Sequence, residues 1–321
     1  MTGTAPRYLV TGGAGFIGSN IVEELLRRGD SVVVLDDFST GRRSNLEGAL
    51  RARAAGSPAP EIIEGDIRDV PTVSRAVRGV THVMHQAALP SVQRSVEDPM
   101  SSHAVNATGT LNLLIAARDA GVKRFVYASS SSAYGDSPTL PKVESMPTAP
   151  LSPYAVGKLA GEHYCRIFHG LYGLETISLR YFNIFGPRQD PKSQYAAVVP
   201  NFMNAVTLRK PPIVFGDGLQ SRDFTYIANA VDANLKACEA PGSAAGRAYN
   251  IACGERVTLL QLLQILERLT GSTVRPVHER PRQGDVRDSL ADIQEARRHL
   301  GYEPRISLEE GLRRTLASFL P

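Results

Sequence analysis

The sequence predicts an α/β fold: a doubly wound parallel sheet with helices on both faces, followed by a smaller C-terminal α/β lobe. Strand-like and helix-like patterns alternate through the first half of the 321-residue chain, as expected of parallel strands joined by crossover helices. A glycine segment, Thr11-Gly12-Gly13-Ala14-Gly15-Phe16-Ile17-Gly18, lies where a first strand would hand over to a first helix.

The apolar run Tyr8–Val10 reads as a buried first strand. Phe16 to Arg28 then carries Ile17, Ile21, Val22, Leu25 and Leu26 at helical spacing. Gly13-x-Gly15-x-x-Gly18 is thus placed as a dinucleotide-binding fingerprint requires, and Gly12-x-x-Gly15-x-x-Gly18 fits equally well. Glycines there permit the tight turn and close approach of the backbone to a pyrophosphate. The helix start at Phe16 and Ile17 offers free N–H groups and a partial positive charge.

A second strand, Ser31–Leu35, ends at Asp36, about 20 residues past the glycines, where a carboxylate can bind ribose hydroxyls and repel a 2′-phosphate. This favours NAD over NADP, although Arg42 and Arg43 just downstream could draw a phosphate instead. A third strand, Glu61–Glu64, leads to Asp66 and Ile67, near the expected adenine; Asp66 reads nearly as well as a helix N-cap. Further strands are expected at Val80–His85, Lys123–Ala128 and Leu174–Arg180, and helices at Ala104–Ala120 and Tyr154–Tyr172. Arg51–Pro60 reads as an exposed connection. Past Tyr181 the alternation breaks into Pro/Gly-punctuated pieces, which suggests a separate lobe. A helix and strand between about Tyr226 and Ala252 can return to the sheet. The expected division is therefore residues 1–180, rejoined by about 226–252, as a Rossmann-type NAD-binding domain, with 181–225 and 253–321 holding a substrate.

Composition is that of a globular protein, 42% hydrophobic and 21% charged. A net charge of +4 suits an anionic substrate, and no Lys/Arg tract signals nucleic acid. Three scattered cysteines without a CxxC pair point to a reducing compartment. The first strand begins too early for a signal peptide, and no apolar run reaches the ~20 residues that span a bilayer. A cytoplasmic protein without a membrane partner is expected. His82-x-x-His85 lacks further ligands nearby, so no metal is expected.

Tyr154 and Lys158 are four residues apart on an expected helix and so share one face. A free tyrosine ionises near pH 10; an adjacent ammonium favours the phenolate and makes it a usable base. The lysine can also bind a nicotinamide ribose. Ser129-Ser130-Ser131-Ser132 closes the preceding strand at the sheet edge where ligands bind, and a hydroxyl there can bond a reacting alcohol, or merely cap a loop.

TGGAGFIGS, the Asp36 strand end, HQAA (His85–Ala88), NATGT (Asn106–Thr110), SSSSAYG (Ser129–Gly135), YAVGK and RYFNIFGPRQDP (Arg180–Pro191) together resemble the extended short-chain dehydrogenase/reductase superfamily, in particular its UDP-glucose/UDP-N-acetylglucosamine 4-epimerases. The resemblance implies Ser130, Tyr154 and Lys158 as catalytic residues, with Ala87 and Asn106 joining the NAD site. It implies Ser131 and Ser132 facing the sugar, and substrate contacts from Asn183 and from the Tyr195–Pro200 stretch, Val199 included. Arg222, and Arg282 just ahead of Asp285, would hold the diphosphate; paired guanidinium groups suit its oxygens. Ser289, a small residue at the implied 2-substituent gate, would admit an N-acetyl group. The implied reaction takes the sugar through a transient 4-keto form with no net redox change.

Related 4,6-dehydratases carry an Asp-Glu pair where Ser131-Ser132 stands here, and related decarboxylases carry a Glu in that segment. A net dehydrogenase would not need the two diphosphate arginines. A UDP-glucuronate 4-epimerase would want a cation near the sugar C6, for which Arg188 is the candidate. A non-catalytic NAD-binding scaffold is opposed by the presence of Ser130, Tyr154 and Lys158 together. In this family the helices at Ala104–Ala120 and Tyr154–Tyr172 pair into a homodimer; their apolar residues could equally pack on the sheet.

Overall fold

The computed structural model describes residues 5–190, 197–280 and 286–319. The first half is built from β1 (Arg7–Thr11), α1 (Phe16–Arg28), β2 (Ser31–Asp36), α2 (Arg43–Arg51), β3 (Glu61–Glu64), α3 (Val70–Ala76) and β4 (His82–His85). Then come α4 (Val92–Glu97), α5 (Pro99–His103), a π-helical stretch Ala104–Gly109, α6 (Thr110–Asp119) and β5 (Arg124–Ser130). A 3-10 turn at Ser131–Tyr134 is followed by α7 (Pro153–Tyr172) and β6 (Glu175–Tyr181).

Seven parallel strands form one sheet in the order β3-β2-β1-β4-β5-β6, closed by β11 (defined below) beyond β6. The chain winds outward from β1 in one direction, then restarts at β4 on the other side of β1. That reversal opens the crevice in which such sheets bind ligands, at the C-terminal ends of β1 and β4. Strand faces alternate between two apolar clusters: Tyr8 and Val10 pack with α1 and α2, while Leu9 packs with α3 and α6. Burial on both faces explains the unbroken apolar runs of β1 and β2. β3 is the exposed edge and carries Glu61 and Glu64 there, which discourages further pairing. α1 follows its apolar spacing, burying Ile21, Val22, Leu25 and Leu26, and ends at Gly29 in the left-handed conformation.

The helix expected at Ala104–Ala120 is interrupted. Its first six residues are π-helical, and α5 precedes them in one continuous run. In this stretch a Cβ on Gly109 would run into Ile67, and Thr110 Oγ1 donates to the Asn106 carbonyl at 2.8 Å. A π-turn of this kind often marks a site at which a side chain must be re-aimed.

The second half contains β7 (Ile184–Phe185), α8 (Val198–Thr207), β8 (Ile213–Phe215), β9 (Ser221–Arg222), β10 (Thr225–Tyr226), α9 (Ile227–Glu239) and β11 (Arg247–Ile251). It closes with β12 (Val257–Thr258), α10 (Leu259–Thr270), β13 (Val277–Glu279), α11 (Gln294–Leu300) and α12 (Leu308–Phe319). β11 returns to the main sheet beside β6. The remaining strands make three short ladders, β7 with β10, β8 with β13 and β9 with β12. Among the described residues no helix is long and apolar enough to cross a membrane.

Candidate active site

β5 delivers Ser129 and Ser130 to the C-terminal edge of the sheet. The chain then turns sharply, and Ser130 caps the 3-10 turn: its Oγ accepts from Ser132 N at 3.2 Å and from Ser132 Oγ at 2.8 Å. α7 starts opposite, with Ser152 Oγ accepting from Ala155 N at 3.2 Å and proline in the first turn. Tyr154 thus lies at the mouth of the helix and Lys158 one turn deeper. Burial raises the ionisation of the Tyr154 phenol above the ordinary value of 10, and the nearby Ser130 hydroxyl pulls it back down.

Lys158 is 3% exposed. Its Nζ donates to the Ala128 carbonyl at 2.7 Å and stands 5.0 Å from the Tyr127 ring centre. Burial pushes the amine down to about 7. The sequence led us to expect this ammonium to ease ionisation of Tyr154, and here the arrangement differs. Lys158 is itself stripped of water and turned to a backbone carbonyl, so the group that favours the phenolate is the Ser130 hydroxyl.

The loops after β1 and β4 meet at the switch point. Gly12 has φ +65, and a Cβ there would lie 2.7 Å from Ala87 N. A Cβ on Gly18 would lie 2.1 Å from the Gly12 carbonyl, so both positions require glycine. Gly15 gives α1 no side-chain cap, which leaves the first-turn N–H groups of Phe16 and Ile17 for an anionic ligand. Asp36 closes β2 and is buried; Oδ2 accepts from Ala14 N and Oδ1 from Phe38 N, both at 2.8 Å. Each oxygen keeps a second lone pair for a ribose hydroxyl. Arg42 pairs with Asp190 at 2.5 Å, while Arg43 pairs with Glu64 and stacks 4.1 Å from the Phe38 ring centre. Both arginines that could have drawn a 2′-phosphate are engaged with carboxylates. These features fit a dinucleotide.

Asp66 does not cap a helix. Its carboxylate holds the Arg68 guanidinium and backbone N–H, and Asp69 caps α3 by accepting from Thr72 N at 3.1 Å. The three-residue offset places the true cap where the helix starts. Ile67 is in the apolar cluster under Gly109. Asn106 pins the segment after β4, accepting from Leu89 N at 2.9 Å and donating to the Leu89 carbonyl at 3.2 Å. His82 and His85 bond to threonines: His85 bridges Thr11 and Thr110 at 2.7 and 2.9 Å, is fully buried, and is driven down to about 3, hence neutral.

A cleft of about 410 Å³ opens over this edge, between Phe16 and Ile17 on one side and the second-half ladders on the other. Ser130, Ser131, Ser132 and Tyr154 line it, as do Asn183, Arg222 and Ser289. Asn183 has φ 38 and donates to the Asp223 carbonyl at 3.0 Å. Arg222 donates to the Ser221 and Arg287 carbonyls, each at 3.0 Å. Ser289 N donates to the Ser221 carbonyl at 3.0 Å. Val199 is different: its side chain is 2% exposed in the core, on the first turn of α8, and does not line the cleft. Arg282, Asp285, Tyr195 and Pro191 lie outside the described residues. Arg188 turns away from the cleft and pairs with Glu23 on α1, so it supplies no cation to a sugar.

Three residues that the sequence reading passed over matter here. Lys142 lines the cleft though only 2% exposed; nothing in its local pattern signals this. Asp223 is fully buried and accepts from Cys253 N, Gly254 N and Ala291 N at 2.9 to 3.3 Å, which ties Arg222 to the Ser289 segment. Glu162, one turn past Lys158, accepts from Ser129 and Arg180; its helical spacing was a usable signal.

A family model described as the NAD dependent epimerase/dehydratase family matches residues 8–252. The UDP-glucose 4-epimerase of Mycolicibacterium smegmatis is 39% identical over 315 residues, 98% of each chain. Among solved structures, the UDP-N-acetylglucosamine 4-epimerase of Methanobrevibacter ruminantium, in complex with UDP-N-acetylmuramic acid, superposes with a TM-score of 0.91 at 36% identity, covering 99% of each chain. The Thermus thermophilus UDP-glucose 4-epimerase, in complex with NAD, gives 0.86 at 38% identity over 98% of each chain. Other relatives are named UDP-glucuronate 4-epimerases. The chain thus belongs to the NAD dependent epimerase/dehydratase family and is an enzyme with NAD as its cofactor.

Proposed function

We propose that the protein is a UDP-hexose 4-epimerase that interconverts UDP-GlcNAc with UDP-GalNAc, UDP-Glc with UDP-Gal, or both, through a transient 4-keto sugar. Residues 1–180 with 226–252 would hold NAD, and 181–225 with 253–321 the UDP-sugar. The observation that carries the reading is the lining of the cleft. The hydroxyls of Ser130, Ser131 and Ser132 and the Tyr154 phenol line it, and the only carboxylate among the described lining residues, Asp288, is bonded to Ser221 and Arg256. A dehydratase or decarboxylase would want a free carboxylate beside Ser130 for its second proton transfer.

NAD, when bound, supplies a hydride acceptor that returns what it takes. Tyr154 removes the proton of the sugar 4-OH, Ser130 bonds the same oxygen, and Lys158 holds the nearby ribose. Arg222 anchors the diphosphate, and Ser131 and Ser132 contact the ring through small hydroxyls, so the sugar can turn while the nucleotide stays fixed. Ser289 leaves room for an N-acetyl group. Substitution by tyrosine there would exclude it by a clash.

A UDP-glucuronate 4-epimerase is the second reading: Lys142, whose Nζ donates to the Ser137 carbonyl, is in the cleft lining, whereas Arg188 is not. Incubation of the purified protein with UDP-GlcNAc, UDP-Glc and UDP-glucuronate in parallel, with chromatographic separation of C4 epimers, decides among these. Conversion of UDP-GlcNAc that Ser289→Tyr abolishes, with UDP-Glc turnover kept, supports the first reading; conversion of UDP-glucuronate alone supports the second. Turnover of none would sink both. We further propose a homodimer formed through α6 and α7, where Val156, Ile167 and Leu171 are exposed; sedimentation at a monomer's rate would exclude it.

A further inference from the structure

Glu162 lies on α7, four residues past Lys158 and eight past Tyr154, and is 8% exposed. Its Oε2 accepts from Ser129 Oγ at 2.8 Å and from Arg180 Nε at 3.0 Å, and its Oε1 accepts from Arg180 Nη2 at 2.5 Å. Arg180 is directly opposite Ser129 in the β5–β6 register and lies 4.7 Å from the Tyr134 ring centre. Glu162 therefore joins the catalytic helix, the serine strand and its neighbour at one buried point.

A buried ion pair is a poor device for stability, because the loss of water offsets much of the attraction. Apolar residues could weld α7 to the sheet at lower cost. What the pair supplies instead is direction. A bidentate fork fixes the carboxylate in orientation, and the carboxylate fixes the Ser129 hydroxyl toward the helix. Successive side chains of a strand point to opposite sides, so holding Ser129 on one side turns Ser130 to the other, toward the cleft.

We propose that Glu162, oriented by Arg180, is a positioning residue for the reaction: through Ser129 it sets the place of Ser130 against Tyr154 on the same helix. It touches neither substrate nor cofactor. The inference rests on the epimerase reading above, so two readouts are needed, one of which is independent of turnover.

The main test compares wild type with Ser129→Ala and Glu162→Gln, each with NAD bound. Ser129→Ala leaves the ion pair intact and should fold as wild type does; Glu162→Gln strands a buried guanidinium and can lose stability. Misplacement near the reacting atoms costs up to about 100-fold in rate. We expect kcat to fall about 10-fold in Ser129→Ala and about 100-fold in Glu162→Gln, with KM for the sugar nucleotide within about threefold, and a larger isotope effect on C4-deuterated substrate. A merely structural role would lower the melting temperature and leave kcat per folded enzyme unchanged. The second readout is the ultraviolet titration of Tyr154, isolated as the difference from Tyr154→Phe in each background. Ser130 favours the phenolate, so a displaced serine moves this titration upward. Wild-type kcat and an unmoved titration in folded Ser129→Ala overturn the proposal. A moved titration in a protein that converts no UDP-sugar keeps the positioning role and removes the epimerase reading.

Discussion

The two walls of the cleft are built on different principles. On the cofactor wall, Gly12, Gly18, Asp36, Ser130 and Tyr154 are placed at the ends of regular strands and helices, whose apolar faces fix them. On the opposite wall, Asn183, Arg222 and Ser289 sit on or beside ladders two residues long, too short to carry themselves. There single polar side chains link the segments, above all Asp223, whose carboxylate gathers three backbone N–H groups. Both walls rest on the apolar core, which includes Phe182, Phe224 and Ala291 beside the second, but the second also depends on a few hydrogen bonds between separate segments. A single substitution should therefore disturb the second wall without the first.

Each wall also buries a group whose ionisation is strongly displaced, and the two displacements have opposite signs. Lys158 is pushed down to about 7, Asp223 up to about 6, both by burial. For Lys158 the unfolded chain, ionising near 10.5, holds a proton that the native chain lacks between pH 7 and 10.5. Its burial cost is then full below pH 7 and fades as the pH rises. For Asp223 the native chain holds the extra proton between about pH 4 and 6, so its cost is full above pH 6 and fades as the pH falls.

The largest effect expected is at the cofactor wall. Tyr154→Phe should lower kcat by about 10²–10⁴-fold while NAD retention and melting temperature stay near wild type; wild-type turnover would remove Tyr154 as the base. Asp223→Asn offers one acceptor oxygen in place of two, and should raise KM for the sugar nucleotide by about tenfold, the worth of roughly one hydrogen bond. If equilibrium dialysis shows NAD binding weakened as much as sugar binding, the two walls are not held independently and the contrast fails. The smallest effect is on stability. In melting scans of the cofactor-free protein, Lys158→Met should gain most over wild type near pH 6 and least near pH 10. A gain that is flat with pH would mean that Lys158 keeps its ordinary ionisation.

The same contrast decides what could be read in the chain. Tyr8–Val10, the glycine turn and the helical spacing from Phe16 to Arg28 predict their structures because each residue's role is set by neighbours within one strand or one helical turn. Tyr154 and Lys158 were legible for the same reason, as four-residue spacing on a helix. Two alternatives that the sequence left open fail because the deciding partner is distant or the offset is small. Asp66 yields the helix cap to Asp69, three residues on, and Arg188 finds Glu23, far away in the chain, in place of the cleft. Val199 satisfies its motif yet belongs to the core, since a motif says nothing of which face of α8 is buried.

By itself, then, the sequence determined the alternating sheet with its smaller C-terminal lobe and the glycine turn between β1 and α1, because local periodicity and glycine geometry act within a few residues. Only the tertiary structure decided that Lys158 faces a carbonyl and not the phenol, that Lys142 lines the cleft, and that Asp223 and Glu162 hold its two walls. Those placements depend on burial and on hydrogen bonds between segments far apart in the chain, for which one-dimensional spacing carries no record.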